Sequence, residues 1–179
     1  ALPDVRVQTL ADYAGLELPE ETGATFAENS RMKATFVADA LEAVAVLADD
    51  SGLEDEALGG EPGVRSARWA PGSDADRVRA LLERLSGVPA ERRTARFVCS
   101  MTFCGFGSPV GVEGACSGRI AREPRGRGGF GYDPVFVLDD GRTMAELSPE
   151  EKNAISHRGQ ALRKIIPLLE AHFVMARGA

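Results

Sequence analysis

The sequence predicts an α/β fold in which a mixed, twisted central sheet is flanked by helices, and two observations support this. A helical pattern over residues 25–43 runs directly into the continuous apolar segment AVAVLA at residues 43–48, which is typical of a strand buried on both faces. Further along, strand patterns follow one another without helices between them. We therefore expect parallel pairing near residue 50 and antiparallel pairing later in the chain.

Length and composition indicate one domain spanning residues 1–179, of which 44% are hydrophobic. The net charge of −6 argues against a protein that binds polyanions through bulk charge, so we expect no nucleic-acid partner. The three cysteines lack C-x-x-C spacing and are expected to be buried reduced thiols of a cytoplasmic protein. No apolar run approaches the roughly 20 residues that span a bilayer.

Three patterns in the sequence predict helices. Residues 25–43 form the first, with an expected apolar face of Met32, Phe36, Val37, Ala40 and Leu41. Residues 73–85 form the second, beginning with a capping box. At the end of the chain Ser148 is a helix-start signal and Ser156 can cap a new helix beginning at His157, so we expect two helical pieces there.

The strand patterns are shorter. VRVQTL at residues 5–10 is expected to be a strand, and AVAVLA is expected to end in an acidic turn at ADDSG. Residues 95–103 alternate as in a strand with one wet face, and residues 110–116 and 118–121 suggest two short strands. YDPVFVL at residues 132–138 reads as a last strand, followed by a tight reversal at an Asp-Gly pair.

The glycine-rich segment GRGGFG at residues 126–131 matches G-x-G-x-x-G. It lacks the strand before it and the helix after it that a dinucleotide-binding fingerprint requires, so we reject that interpretation. The glycines let Phe130, Tyr132 and Asp133 approach a flat polar ligand, and an aromatic ring beside a carboxylate could hold a base. The alternative is that both aromatic residues belong to the core at a strand entrance.

Carboxylates offer a candidate metal site. Asp49 and Asp50 follow the predicted buried strand, where α/β proteins bind ligands, and a carboxylate there can ligate magnesium. The alternative is a solvated turn whose side chains bond their own backbone. Glu28 could supply a second carboxylate, or merely complete a capping box with Thr25.

Lys152, His157 and Arg158 form a third candidate group near predicted helix starts, where backbone donors favour anions. Arginine is a permanent planar donor suited to a carbonyl or a phosphate. An ordinary exposed helix surface would explain these residues equally well.

Four blocks in order cover most of the chain from Thr25 onward: TFAENSRMKA, LADDSGLEDEALGGEPGVRSARWA, GGFGYDPVF and AELSPEEKNAISHRGQAL. Together they resemble the inosine triphosphate pyrophosphatase family. The resemblance implies an elongated two-lobed molecule with a substrate cleft between the lobes, usually a homodimer. It also implies magnesium-dependent hydrolysis of ITP, dITP and XTP to the monophosphate and pyrophosphate, which removes these nucleotides from the pool.

The resemblance also implies roles for individual residues. Glu28 and Asp50 would hold the metal, Asp50 would be the base for the attacking water, and Ser51 would touch the phosphate end. Phe130 would stack on the purine, and the remaining substrate contacts would be Gly131, Tyr132, Asp133, Lys152, His157 and Arg158.

The chain departs from the family pattern in two places. The family's N-terminal strand and Ser/Thr-x-x-Asn-x-x-Lys phosphate loop have no counterpart here, and we expect such a segment to precede Ala1. Asp55 and Glu56 stand where the family usually has an apolar residue and Asp. Two rival functions stay open: a non-catalytic nucleotide sensor, and a nucleic-acid module built on Arg119, Arg122, Arg125 and Arg127.

Overall fold

The computed structural model describes residues 5–42, 45–105 and 107–177, with side chains through Val174. Its sheet has four strands in the order β1-β2-β3-β4. The strands are β1 (Val46–Asp55), β2 (Thr94–Cys104), β3 (Val110–Ile120) and β4 (Phe136–Val137). The α/β class is confirmed, but these four strands pair only antiparallel, so the predicted parallel pairing near residue 50 is wrong for the described sheet.

Strand β1 continues through ADDSG instead of ending there. The residues of this segment pair with β2 one by one: Asp49 lies opposite Met101, and Asp50 lies opposite Ser100. The predicted acidic turn is therefore wrong, because nonlocal pairing keeps the backbone extended. Since neighbours in a strand point to opposite faces, Asp50 faces one side of the sheet and Asp49 and Ser51 face the other. Residues 43 and 44 of AVAVLA lie outside the described residues.

The described part of the chain has four α-helices, and they begin where the sequence indicates. They are α1 (Phe26–Leu41), α2 (Asp74–Arg84), α3 (Pro149–Ile155) and α4 (His157–Arg177). The side chains of Thr25, Ser73 and Ser148 each accept a hydrogen bond from the backbone three residues on. Ser156 has extended backbone between α3 and α4, so the two predicted helical pieces are confirmed.

Helices α1 and α4 cover opposite faces of the sheet. Ser30 of α1 is hydrogen-bonded to Ser100 and Thr102 of β2, whereas Ala161 and Ile165 of α4 pack against the other side of that strand. Strand β2 is therefore buried on both faces over most of its length, and the predicted wet face is wrong.

The buried face of α1 also differs from the predicted one. Its buried residues are Phe26, Asn29, Ser30 and Ala34, while Phe36 of the expected apolar face is 36% exposed.

A second core lies over the far end of the same sheet, and it supports the glycine-rich loop. It joins Leu53 of β1 to α2 and to the segment around β4, and its buried members include Val78, Leu81, Leu85, Phe97, Ile120, Tyr132, Val135, Phe136 and Met144. Helix α2 thus packs Val78 and Leu81 against the cluster that includes Tyr132, next to the loop that carries Phe130.

Three other strand predictions need correction. Residues 5–10 form no strand, and their side chains are largely exposed. The Thr9 amide donates to the Asp12 side chain at the start of a short 3-10 helix, Leu10–Asp12. The two predicted strands after residue 110 are one continuous strand, β3. YDPVFVL forms a 3-10 helix at Asp133–Val135 and then the two-residue β4, because Pro134 suits a first helical turn.

The Asp-Gly reversal is confirmed: the Gly141 amide donates to the Leu138 carbonyl at 2.9 Å, with Gly141 at φ +85°. Cys99, Cys104 and Cys116 are buried free thiols, as predicted. Among the described helices, none is both long and apolar enough to cross a membrane.

Candidate functional site

A buried acidic group lies between β1 and α1. Asp50, 8% exposed, accepts hydrogen bonds from Asn29 Nδ2 at 3.0 Å and from Lys33 Nζ at 3.1 Å. Lys33 also donates to Glu21 Oε1 at 2.9 Å, and Arg68 donates to the other oxygen of Glu21 at 2.7 Å. The four residues Glu21, Lys33, Asp50 and Arg68 form a continuous chain of alternating charge, which we call the acidic cluster.

Burial and neighbouring charges act in opposite directions on the pKa values of Asp50 and Lys33. Burial raises the pKa of Asp50 above its ordinary value even though Asn29 and Lys33 act in the opposite sense. Burial lowers the pKa of Lys33, but the hydrogen bond to Glu21 and the charge of Asp50 outweigh it, and the net pKa is raised. A permanently charged lysine therefore adjoins a carboxylate of increased basicity, which is a favourable arrangement for a general base.

Glu28 is engaged elsewhere. Its Oε2 accepts from the backbone amides of Ala24 at 2.7 Å and Thr25 at 3.0 Å, which is the capping role that the sequence left open. The carboxylate that shares Lys33 with Asp50 is Glu21, which the sequence analysis missed. Only its place in an acidic turn before α1 could have suggested it, and its metal-binding capacity stays as much a prediction as that of Glu28.

The acidic cluster has the chemistry that magnesium prefers. Magnesium is held through one or two carboxylates and keeps several waters or phosphate oxygens as its other ligands. Glu21 and Asp50 each place an oxygen within 3.1 Å of Lys33 Nζ, so the two carboxylates converge on that ammonium group. Among the described residues no group of three His, Cys, Asp or Glu is assembled.

The opposite face of β1 holds Arg158. Its Nε and Nη2 donate to Asp49 Oδ2 at 3.3 and 3.0 Å, and Nη2 also donates to Ser51 Oγ at 3.0 Å. Ser51 therefore lies beside Arg158 and on the other face from Asp50. Asp49 fixes the guanidinium, a role that the sequence analysis did not assign because it expected a turn here.

The Phe130 ring is 60% exposed and has cations next to it. Lys152 Nζ lies 4.6 Å from the ring centroid and Arg158 Cζ lies 5.7 Å from it. Asp133, 2% exposed, accepts from the Phe130 amide at 2.8 Å and from Lys152 Nζ. For Phe130 the core interpretation is wrong, because an open aromatic face flanked by two cations is available to a ligand.

Gly129 allows this close approach. It has φ +73°, and a Cβ there would lie 2.0 Å from Asp133 Oδ2.

The core interpretation is correct for Tyr132, which is 4% exposed and donates its hydroxyl to the Ser66 carbonyl at 3.0 Å. Burial raises the pKa of Tyr132 to about 12. Gly131 donates its amide to Asp74 Oδ2 at 2.7 Å. The substrate contacts predicted for Gly131 and Tyr132 stay predictions, and the contacts seen here anchor the loop.

His157 lies beneath this cluster, 6% exposed, with its ring stacked on Phe97 at a centroid distance of 4.9 Å. Burial, followed by the charges of Arg158 and Lys152, lowers the pKa of His157 to about 4. Within the described part of the chain its buried Nδ1 has no hydrogen-bond partner. His157 is therefore neutral at physiological pH, and its Nδ1 can still donate or accept one hydrogen bond.

Comparison with known proteins assigns the chain to a family. Residues 1–168 match the model of the Ham1 family. The chain belongs to the Ham1 family. It is 57% identical over 155 residues to the dITP/XTP pyrophosphatase of Symbiobacterium thermophilum, which covers 84% of this chain and 77% of that protein.

A second relative and a solved structure agree with this assignment. The dITP/XTP pyrophosphatase of Mycolicibacterium paratuberculosis is 54% identical over 95% of this chain and 84% of its own length. The structure of the Staphylococcus aureus Ham1 protein superposes with a TM-score of 0.88 at 41% identity, covering 94% of this chain and 88% of that one.

In this Ham1 family chain the candidate side chains thus form two clusters on opposite faces of β1. The acidic cluster lies on the α1 face of β1. The second, which we call the aromatic cluster, lies on the other face and comprises Phe130, Asp133, Lys152, His157 and Arg158. Asp49 and Ser51 belong to the aromatic side, whereas their neighbour Asp50 belongs to the acidic side.

Proposed function

We propose that this protein hydrolyses ITP, dITP and XTP to the nucleoside monophosphate and pyrophosphate. The observation that carries the proposal is the pairing of an exposed Phe130, flanked by Lys152 and Arg158, with the buried Asp50. Asp50 is the strand neighbour of Asp49, which anchors Arg158. Strand β1 lies at the edge of the described sheet. A nucleotide lying across this edge, in a cleft between two lobes, would place its base at the aromatic cluster and its phosphates at the acidic cluster. The two relatives above carry the name dITP/XTP pyrophosphatase.

Base selection follows from the direction of the hydrogen bonds. Phe130 offers a stacking surface, and Arg158 can only donate. Hypoxanthine and xanthine present a keto oxygen at the 6-position, which accepts from Arg158, whereas adenine presents an amino group there. Two donors facing each other in a desolvated site cost about 1 to 3 kcal/mol, so adenine nucleotides are disfavoured. Asp49 and Ser51 hold the guanidinium in one orientation for this comparison.

Hydrolysis requires a proton acceptor and neutralisation of the phosphate charge. Asp50 takes the proton from the attacking water, and its raised pKa suits it for this step. Lys33 places a positive charge beside the phosphates. Magnesium held by Asp50, with Glu28 as predicted or with Glu21, would add charge neutralisation at the reacting phosphates. No thiol nucleophile is needed, and burial followed by the charge of Asp49 raises the pKa of Cys99 to about 12.

Homodimer formation and cytoplasmic location are part of the proposal. Leu47 and Val110 lie on the two sides of Phe103 in one row across the sheet, and they are 42% and 43% exposed. Such apolar side chains at the sheet surface are suited to cover each other in a second copy. Free thiols at the three cysteines suit a reducing compartment.

The test measures the products from ITP, dITP, XTP and ATP with the full-length protein and magnesium. We expect pyrophosphate from the first three, little from ATP, and no turnover after chelation with EDTA. Asp50→Asn should abolish turnover while ITP still binds, and Asp39→Asn, an exposed carboxylate change on α1, should retain wild-type turnover. The proposal fails if ITP yields only orthophosphate, or if Asp50→Asn remains active. Retardation of single-stranded oligonucleotides at physiological salt would favour the nucleic-acid alternative.

A further inference from the structure

The loop segment that carries Phe130 is anchored by three groups that come from separate parts of the chain. The Phe130 amide donates to Asp133, the Gly131 amide donates to Asp74, and the Tyr132 hydroxyl donates to the Ser66 carbonyl. The first anchor is local, since Asp133 lies three residues away. The second reaches across 57 positions to the first residue of α2, and the proposed mechanism assigns that residue no role.

Asp74 is itself fixed in place. Its Oδ1 accepts from Arg77 Nη2 at 2.5 Å, and Arg77 Nη1 donates to the Gly72 carbonyl at 2.9 Å. Each carboxylate oxygen therefore has its own partner: Oδ1 accepts from Arg77 of α2, and Oδ2 accepts from the Gly131 amide at 2.7 Å. A hydrogen bond from a backbone amide to a carboxylate is among the stronger kinds in proteins.

The Phe130 ring depends on these backbone bonds for its position. A side chain that is 60% exposed has few packing partners to restrict it, so the location of the ring follows from the backbone on either side. Asp133 restrains the amide of Phe130 itself, and Asp74 restrains the next amide along the chain. Without the second restraint the ring would sample positions away from Lys152 and Arg158.

We propose that Asp74 is a positioning residue for base binding, which holds the Phe130 ring beside Lys152 and Arg158 through its hydrogen bond to the Gly131 amide. The proposal rests on the proposed function and deepens it, because it makes the first turn of α2 a determinant of purine affinity. It touches neither the water nor the phosphates, so its contribution lies in KM and in base selection, and kcat is left unchanged.

The experiment compares Asp74→Ala, Asp74→Asn and a matched control, Asp76→Ala. Asp76 lies in the same first turn, pairs with Arg79 at 3.0 Å and bonds the Ser73 amide at 2.8 Å, so its removal disturbs the start of α2 without touching the loop. We expect Asp74→Ala to raise KM for ITP roughly fivefold to tenfold, as the loss of one such hydrogen bond implies, with less than twofold change in kcat. Asp74→Asn should give an intermediate KM, because its single amide oxygen can accept from Gly131 or from Arg77 but no longer from both.

A second readout does not depend on activity. Amide hydrogen exchange in the segment 126–133 should accelerate in Asp74→Ala and stay at the wild-type rate in Asp76→Ala. Equal KM and equal exchange in the two alanine variants would overturn the proposal. A KM for Asp74→Asn as high as that of Asp74→Ala, with exchange in the segment 126–133 at the wild-type rate in both, would overturn it as well, because the effect would then come from the lost ion pair with Arg77. If the wild-type protein releases no pyrophosphate, the proposed function fails, and the exchange comparison alone decides whether Asp74 holds the loop.

Discussion

Acidification should destabilise this protein because the imidazole of His157 takes up a proton more readily in the unfolded chain than in the folded protein. The imidazole is 6% exposed, stacks on Phe97, and has an unpartnered Nδ1 among the described residues. Burial first, and then the charges of Arg158 and Lys152, lower its pKa from the ordinary 6.5 to about 4, although Asp49 acts in the opposite direction. The folded protein therefore resists protonation at this site, whereas the unfolded chain accepts the proton near pH 6.5.

The sign and the size follow from proton linkage. Because the unfolded state binds more protons between these two pKa values, the stability contributed by His157 is complete above pH 6.5 and is lost as pH falls toward 4. A pKa unit corresponds to about 1.4 kcal/mol, so the full shift is worth about 3 kcal/mol. About 2.5 kcal/mol of it should be lost by pH 4.5.

The assay is urea unfolding of the wild type and of His157→Gln at pH 7.5, 6.0 and 4.5. Carboxylates titrate in both proteins, so the difference between the two isolates the imidazole. The wild type should lose about 2.5 kcal/mol more than the variant between the extremes. The chain has only two histidines, so an NMR titration can assign this one directly from the variant. Parallel pH dependences, or an imidazole titrating near 6.5, would refute the reasoning.

Two further changes test groups placed by the fold. Tyr132→Phe leaves the Ser66 carbonyl without its partner at 3.0 Å and should lower the free energy of unfolding in urea by about 1 kcal/mol. KM for ITP should change less than twofold, because the ring stays packed. A large KM effect at unchanged stability would instead indicate direct substrate contact. Asp55 is fully buried, and Oδ2 lacks a partner within the described chain, so burial raises its pKa although the Leu58 amide bonds Oδ1 at 3.2 Å. A raised carboxyl pKa means that the free energy of unfolding falls as pH rises above 3.8. Asp55→Asn should therefore become increasingly stable relative to the wild type between pH 4 and pH 7, and an advantage that shrinks with rising pH would contradict this.

Helix starts could be predicted from the sequence because their causes are local. Thr25, Ser73 and Ser148 each bond an amide three residues away, so the pattern and the contact lie in the same short window. The Asp-Gly reversal before Arg142 is local in the same sense. The break at Ser156 also follows from one residue and its neighbours, and it brings His157 and Arg158 to the start of α4.

The course of β1 could not be predicted in this way. Two adjacent aspartates after an apolar run suggest a turn when only neighbours in sequence are considered. The backbone there is extended because β2, about 50 residues further on, pairs with it residue by residue. That pairing sends Asp49 and Asp50 to opposite faces and so determines which of them meets Arg158 and which meets Lys33. The partition between the aromatic and acidic clusters is therefore a consequence of sheet register.

Helix α1 shows where hydrophobic periodicity fails to locate the buried face. Its apolar residues predicted that the face around Phe36 would be buried, yet the face against the sheet presents Asn29, Ser30 and Lys33. Burying polar side chains costs about 1 to 3 kcal/mol for each group left unpaired, so such a face persists only where every group finds a partner. Here the partners are Asp50 and the hydroxyls of β2, and the same contacts that satisfy the helix hold the proposed base in place. In this protein the helix face that breaks its own apolar pattern lies against the side of the sheet that carries the proposed base, Asp50.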